Sequence, residues 1–169
     1  MPFDLKKHLP KAGQRFALPL LHGSSDAYAL ALAAQGYAVD LVDPVPCHVE
    51  RARELSAGAP SPLVSAELGD ARTLAAADGS FDAVLMFGPL YHLVARRERV
   101  AALREARRVV VNNGVVLSAY ISRFAAACDG IQEGMLRQAD FFAMVDRELD
   151  TGVHHPPPER QDWFTTAYF

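Results

Sequence analysis

The chain has 169 residues, half of them apolar, and a formal charge of −3. That length leaves room for one sizeable core. The slight acidic excess offers no basic stripe of the kind that marks a nucleic-acid surface. No run approaches the roughly 20 apolar residues of a membrane span, and the N-terminus has no charged-then-apolar signal pattern. Cys47 and Cys128 stand far apart without a partner motif, as ordinary reduced thiols would. A cytoplasmic protein is therefore expected, with no nucleic-acid or membrane partner.

Strand and helix signals alternate from Arg15 onward, the pattern of a parallel sheet covered by helices. Phe16 to Leu21 reads as a buried strand, although Pro19 cannot donate a ladder hydrogen bond. Ser24, Ser25 and Asp26 supply cap chemistry for an Ala- and Leu-rich helix that runs to Gln35 and ends at Gly36. The next strand covers residues 39–42, with Asp43 at its tip. Pro44 and Pro46 start a helix over residues 48–56, and a Gly-Ala-Pro-Ser-Pro turn leads to a short strand over 63–66. Residues 81–87 form a continuous apolar strand apart from Asp82. Residues 97–110 show a helical face at Val100, Leu103, Ala106, Arg107 and Val110, and Asn112-Asn113-Gly114 turns the chain into a strand over 115–121. Beyond it the strand signals stop: 124–149 reads as one or two helices and 151–158 as loop.

Three of these strands end in loops that would crowd into one crevice. The first carries Asp43, whose carboxylate is suited to gripping two ribose hydroxyls. It can also be read simply as a helix-start residue. The second is Gly69-Asp70-Ala71-Arg72, where Asp70 either accepts from an adenine-like amino group or only makes a turn. The third is Phe87-Gly88-Pro89-Leu90-Tyr91-His92-Leu93.

Together these segments resemble the motifs of class I S-adenosylmethionine-dependent methyltransferases of the type 11 kind. The closest likeness is to small-molecule members with an FDxVLxxGPLYHL segment, here residues 81–93. The resemblance runs from about Arg15 to Phe169. It implies an α/β, doubly wound (Rossmann-like) and mostly parallel sheet of about five strands in order 3-2-1-4-5. It also implies S-adenosylmethionine as cofactor, no metal, and a small-molecule acceptor. On that pattern Gly23, Ser24, Asp43, Asp70, Ala71, Phe87 and Gly88 would bind the cofactor, and Tyr91 and His92 the substrate. His92 is the candidate catalytic base, unless Tyr91-His92-Leu93 only shapes the loop. The whole chain would be a single methyltransferase-like domain: an N-terminal segment (1–14), a cofactor-binding core (15–122) and a helical and loop C-terminal segment (123–169).

The chain departs from the pattern in three places. Leu20 stands where the first strand of the family ends in an acid, and Asp26 replaces a late glycine of the glycine-rich loop. Each change costs on the order of 1–3 kcal/mol of cofactor binding, so weak binding is expected. Asn112-Asn113-Gly114 replaces a Pro-Gly-Gly turn, a benign change because Asn tolerates the left-handed conformation. The family adds two strands and a helix beyond a segment like residues 163–169, so the C-terminus reads as shortened. The apolar strand over 115–121 would then be an edge, to be covered by a second copy in a homodimer or by the 164–169 tail folding back.

Other readings weigh less or stay open. Pro19-Leu20-Leu21-His22-Gly23 is similar to an α/β-hydrolase oxyanion strand, but no G-x-S-x-G nucleophile elbow occurs. His154-His155 lacks the spacing that points two ligands at one metal ion. Phe124, Phe141, Phe142 and Met144 read as core or a hydrophobic lid. A degenerate protein that no longer methylates, and serves as a binding or partner subunit, stands beside the active enzyme.

Overall fold

Phe16 and Ala17 of the first strand, β1 (Arg15–Pro19), lie at the centre of the molecule with a parallel neighbour on either side. These observations come from a computed structural model that describes residues 13–19, 25–155, 166–167 and 169. The other strands of the main sheet are β2 (Ala38–Asp43), β3 (Ser65–Leu68), β4 (Phe81–Met86) and β5 (Val110–Ser118). Their order is β3-β2-β1-β4-β5, every neighbouring pair parallel, as the alternation of strand and helix signals predicts. The chain winds outward from β1 to β3 and then crosses back to β4. The order therefore reverses between β1 and β4, and a ligand crevice lies at the carboxyl ends of those strands. Pro19 is tolerated in a central strand because β1 pairs with β4 only through Phe16 and Ala17. At Pro19 no ladder bond to β4 is lost.

Residues of alternating parity along the strands face opposite layers. On one face Phe16, Val39, Leu41, Ala83 and Leu85 pack against Ala29, Leu32 and Ala33 of α1 (Ser25–Ala33) and Val49 and Ala52 of α2 (Pro46–Ala57). On the other, Ala17, Val84 and Met86 pack against Leu90 of the one-turn helix α3 (Pro89–His92) and Ala102, Ala106 and Val109 of α4 (Arg96–Val109). The buried stripe is Ala102, Ala106 and Val109, whereas the face expected from the sequence shares only Ala106 with it: Leu103 and Arg107 are exposed, and the helix is turned so that its small residues meet the sheet. Leu85 and Met86 have no exposed surface, and truncating either to Ala costs about 2–5 kcal/mol. Pro46 takes the first helical position of α2, where its missing N–H is no loss.

No helix joins β3 to β4. The connecting loop is instead fastened to α4: Arg108 donates to the carbonyls of Ala76 (2.7 Å) and Leu74 (3.0 Å) and to Asp78 (2.7 Å). Glu105 accepts from the Leu74 N–H at 2.8 Å and from Arg108 Nε at 2.9 Å. The loop that carries Asp70 is thus tied to α4 by these bonds as well as by Ala71 and Leu74, which are buried in the core on that face.

Two expectations need correction. β5 starts at Val110 rather than 115, because Asn112-Asn113-Gly114 lies inside the strand as an irregularity. Its register jumps from Phe81↔Val110 to Ala83↔Val115. Asn113 takes φ 67°, the left-handed conformation the turn requires, and a Cβ on Gly114 would lie 2.7 Å from the Asp82 carbonyl oxygen. Strands also do not stop after β5. After α5 (Ala125–Gln132) and α6 (Ala139–Thr151), β6 (Val153–His154) pairs antiparallel with β7 (Thr166–Ala167), and β7 lies against α3. Phe169 does fold back, but its N–H and carbonyl bond to Ile121 and Arg123, past the end of β5. Among the described residues nothing pairs with the outer edge of β5. No helix among them is long and apolar enough to cross a membrane.

Candidate functional site

Asp43 ends β2, and its position just before Pro44 decides its first task. Its Oδ1 accepts the Val45 N–H at 2.8 Å, which orients the chain into α2, and His48 Nδ1 lies 3.2 and 3.3 Å from its two oxygens. The residue has no exposed surface. A buried carboxylate without such donors would be costly, so the turn and the acid hold each other in place.

The loop after β3 brings Asp70 to the same end of the sheet. Gly69 is required there by close approach, since a Cβ would lie 2.7 Å from Val42 Cγ1. Asp70 is ringed by Arg72: the Arg72 main-chain N–H donates to Oδ1 at 2.8 Å, Nε lies 3.0 Å from both oxygens, and Nη2 reaches Oδ2. Those bonds hold the Asp70 carboxyl below the usual carboxylate range against the opposing effect of burial.

The loop after β4 turns at Gly88, whose φ of 138° is a conformation side-chain-bearing residues rarely adopt, and this launches α3. α3 places His92 and the following Leu93 in the wall of a cavity of about 210 Å³, together with Val42, Pro44, Asp70, Ala71 and Arg72. Three strand tips therefore do meet. Asp70, Ala71 and His92 share the wall, and Asp43 sits between two wall residues without lining the cavity itself. Phe87, Gly88 and Tyr91 are not among the residues that line it. Phe87 meets the Tyr28 ring edge-on at 5.9 Å, and burial, with Tyr28 adding to it, pushes the Tyr91 phenol upward. Gly23, Ser24 and Leu20 lie outside the described residues.

Several functional neighbours escape a reading of the sequence. Tyr28 is an aromatic in an otherwise small-residue helix, a signal too weak to assign. His48 follows Asp43 by five residues, and only the helix start brings the two together. Asp26 is buried, and Arg51 Nε of α2 lies 2.7 Å from its Oδ2, a charge contact rather than a well-angled hydrogen bond. The cost in cofactor binding expected from Asp26 is thereby reduced, since Arg51 offsets its charge. His154 Nδ1 pairs with the buried Glu148 of α6. Among the described residues no three His, Cys, Asp or Glu side chains are grouped to hold a metal ion.

A parallel sheet of this order, with an acid at the end of its second strand, another on the loop after its third and a Gly-Pro turn after its fourth, defines an α/β domain of the methyltransferase type. Residues 23–114, more than half of the chain, match the sequence profile of the methyltransferase domain. The chain belongs to the class I S-adenosylmethionine-dependent methyltransferase family. A SAM-dependent methyltransferase from Methanosarcina mazei is similar over 98% of this chain and 76% of its own, at 19% identity and a TM-score of 0.71. The CcbJ methyltransferase from Streptomyces caelestis matches over 69% of this chain and 50% of its own, at 24% identity and a TM-score of 0.61. A protein from Pyrococcus horikoshii matches over 65% and 50%, at 26% identity and a TM-score of 0.54. The chain thus spans three quarters of the first and half of the other two. No curated protein sequence matches it.

Proposed function

We propose that this chain binds S-adenosylmethionine across the tips of β1, β2 and β4 and transfers its methyl group to a small molecule. The observation that carries this reading is the 210 Å³ cavity where Asp70, Ala71 and His92 meet beside Asp43. Its donor set suits a nucleoside. Asp70 and Ala71 take the adenine edge, and Asp43, which has no exposed surface, takes the ribose hydroxyls once the wall at Val42 and Pro44 yields. Phe87 and Gly88 border the cofactor, Tyr91 and His92 face the acceptor, and Gly23 and Ser24 belong to the methionine side. When bound, the sulfonium supplies an activated methyl group and an excellent leaving group, so the protein's task is chiefly alignment. His92 is the group placed to take the proton that the acceptor loses, a task imidazole can perform near neutral pH. With Leu20 in place of an acid for the cofactor ammonium, affinity is expected in the tens of micromolar as an order of magnitude.

The ion pairing of Asp26 with Arg51 favours a second reading. An acid held at the start of α1 by a cation of α2 suits a protein that retains nucleoside binding and has lost methyl transfer. Calorimetry with S-adenosylmethionine and S-adenosylhomocysteine, followed by a methyl-release assay over an acceptor panel, separates the two. Binding with no turnover supports the second reading, and no binding removes both.

The unpaired outer edge of β5 supports a homodimer joined through it, and the free, exposed Cys47 and Cys128 suit a reducing cytoplasm. Sedimentation across a dilution series should show a dimer that Leu117→Lys dissociates. A monomer at all concentrations would dismiss that assembly.

A further inference from the structure

Arg72 joins two walls of the cavity. Two of its guanidinium nitrogens grip Asp70, and the third, Nη1, donates to Glu98 Oε1 at 2.8 Å in the first turn of α4. Arg72 also lines the cavity beside Asp70. Both partners of the Asp70 pair are 39% exposed, and an ion pair so open to water adds little to stability. A planar fork does something else well: it fixes the direction of a carboxylate. Glu98 in turn fixes the fork, because an Arg held at both ends loses the freedom to swing away. Arg99 of the same helix donates to the Leu93 carbonyl at 2.9 Å, so α4 also steadies the wall that carries His92.

We propose that Arg72, braced by Glu98, is a positioning residue that aims the Asp70 carboxylate into the cavity and thereby makes it select a base with an exocyclic amino group over one with a carbonyl there. This rests on the nucleoside reading given above. An ionised carboxylate is acceptor-only. It pairs with the amino group of adenine and opposes the oxygen of hypoxanthine, and a site built around one such hydrogen bond rejects the analogue that lacks the donor. The charged and titratable groups that share a cavity wall with Asp70 are Arg72 from its own loop and His92 from α3 on one side, and Glu67 of β3, Asp40 of β2 and Arg15 of β1 on the other, with Glu98 of α4 reached through Arg72. Of these only Arg72 holds the carboxylate in its ionised form by direct bonds.

The test is calorimetry on the full chain with S-adenosylhomocysteine and S-inosylhomocysteine at pH 7.5 and 4.5, for the natural chain, R72M, R72K and E98Q. The natural chain should prefer the adenosyl ligand by about tenfold or more. R72M should bind it about tenfold more weakly, lose most of the preference, and weaken a further severalfold at pH 4.5 relative to the natural chain, as an unbraced Asp70 takes up a proton. Binding of the inosyl ligand should change little. R72K and E98Q should fall between, at about two- to threefold, and they carry the test if thermal melting shows R72M unfolded. Variants with the natural base preference and pH profile would overturn the inference alone. A natural chain that binds neither nucleoside would overturn the proposed function and this inference with it.

Discussion

Asp43 and Asp70 stand on neighbouring loops of one crevice and are held in opposite ways. Asp43 has no exposed surface and is gripped by its own chain, through the Val45 N–H and the His48 ring, so the β2–α2 turn is built around it. Asp70 is open to solvent and is gripped by a long side chain that reaches on to another helix. The difference shows that the fold needs Asp43 whether or not a ligand is bound, whereas it needs Asp70 little. Removing a buried acceptor strands its donors, whereas removing an exposed one returns them to water.

The largest effect is expected at the first acid. Asp43→Ala should lower stability by about 1–2 kcal/mol through the lost turn bond, and nucleoside affinity by about 1–3 kcal/mol through the lost charge-assisted contact. Melting and calorimetry read the two separately. Asp43→Asn keeps an acceptor for Val45, so it should melt closer to the natural chain while still binding weakly. An alanine variant with full affinity would remove Asp43 from the site.

Asp70→Ala should reverse the proportions. Stability should change by less than about 1 kcal/mol, as for an exposed pair, while affinity for S-adenosylhomocysteine falls about tenfold. A large drop in melting temperature with unchanged affinity would make Asp70 a structural residue and end the contrast.

Asp26 extends the comparison to the loop after β1. Because its carboxylate is buried against Arg51, Asp26→Gly should cost about 1 kcal/mol of stability, and any gain in cofactor affinity should be small. Leu20→Asp alone should tighten binding, since it supplies the missing partner for the ammonium. A marked gain from Asp26→Gly alone would show that Arg51 does not neutralise the acid.

The smallest effect concerns pH. Arg72 and Arg108 hold Asp70 and Glu105 below their ordinary values. In the window between the folded and unfolded values the unfolded chain binds more protons, so stability rises with pH there. The contribution is complete above the ordinary carboxylate range and is lost as pH falls through the depressed values. Denaturant titrations from pH 7 to pH 3 should show a shallower acid limb in Arg108→Met than in the natural chain. Parallel limbs would mean that Glu105 gains nothing from its partner.

Much of the fold was open to reading because it is written locally. The alternation of strand and helix signals, Pro46 at a helix start and the left-handed Asn113 each depend on a few consecutive residues, and each leads to the observed conformation. The acids at the strand tips were legible for the same reason, since a tip is a place in a local pattern. The early start of β5, the pairing of β6 with β7, the Arg51 partner of Asp26 and the reach of Arg72 to Glu98 were not. Those partners lie far apart in sequence, 26 residues in the last case, and composition carries no trace of the pairing. The sequence by itself determined the element order and the family to which the chain belongs. Only the tertiary structure decided which acid is sealed in the fold and which is presented to the cavity, because burial and the direction of a carboxylate depend on groups that meet only once the sheet has closed.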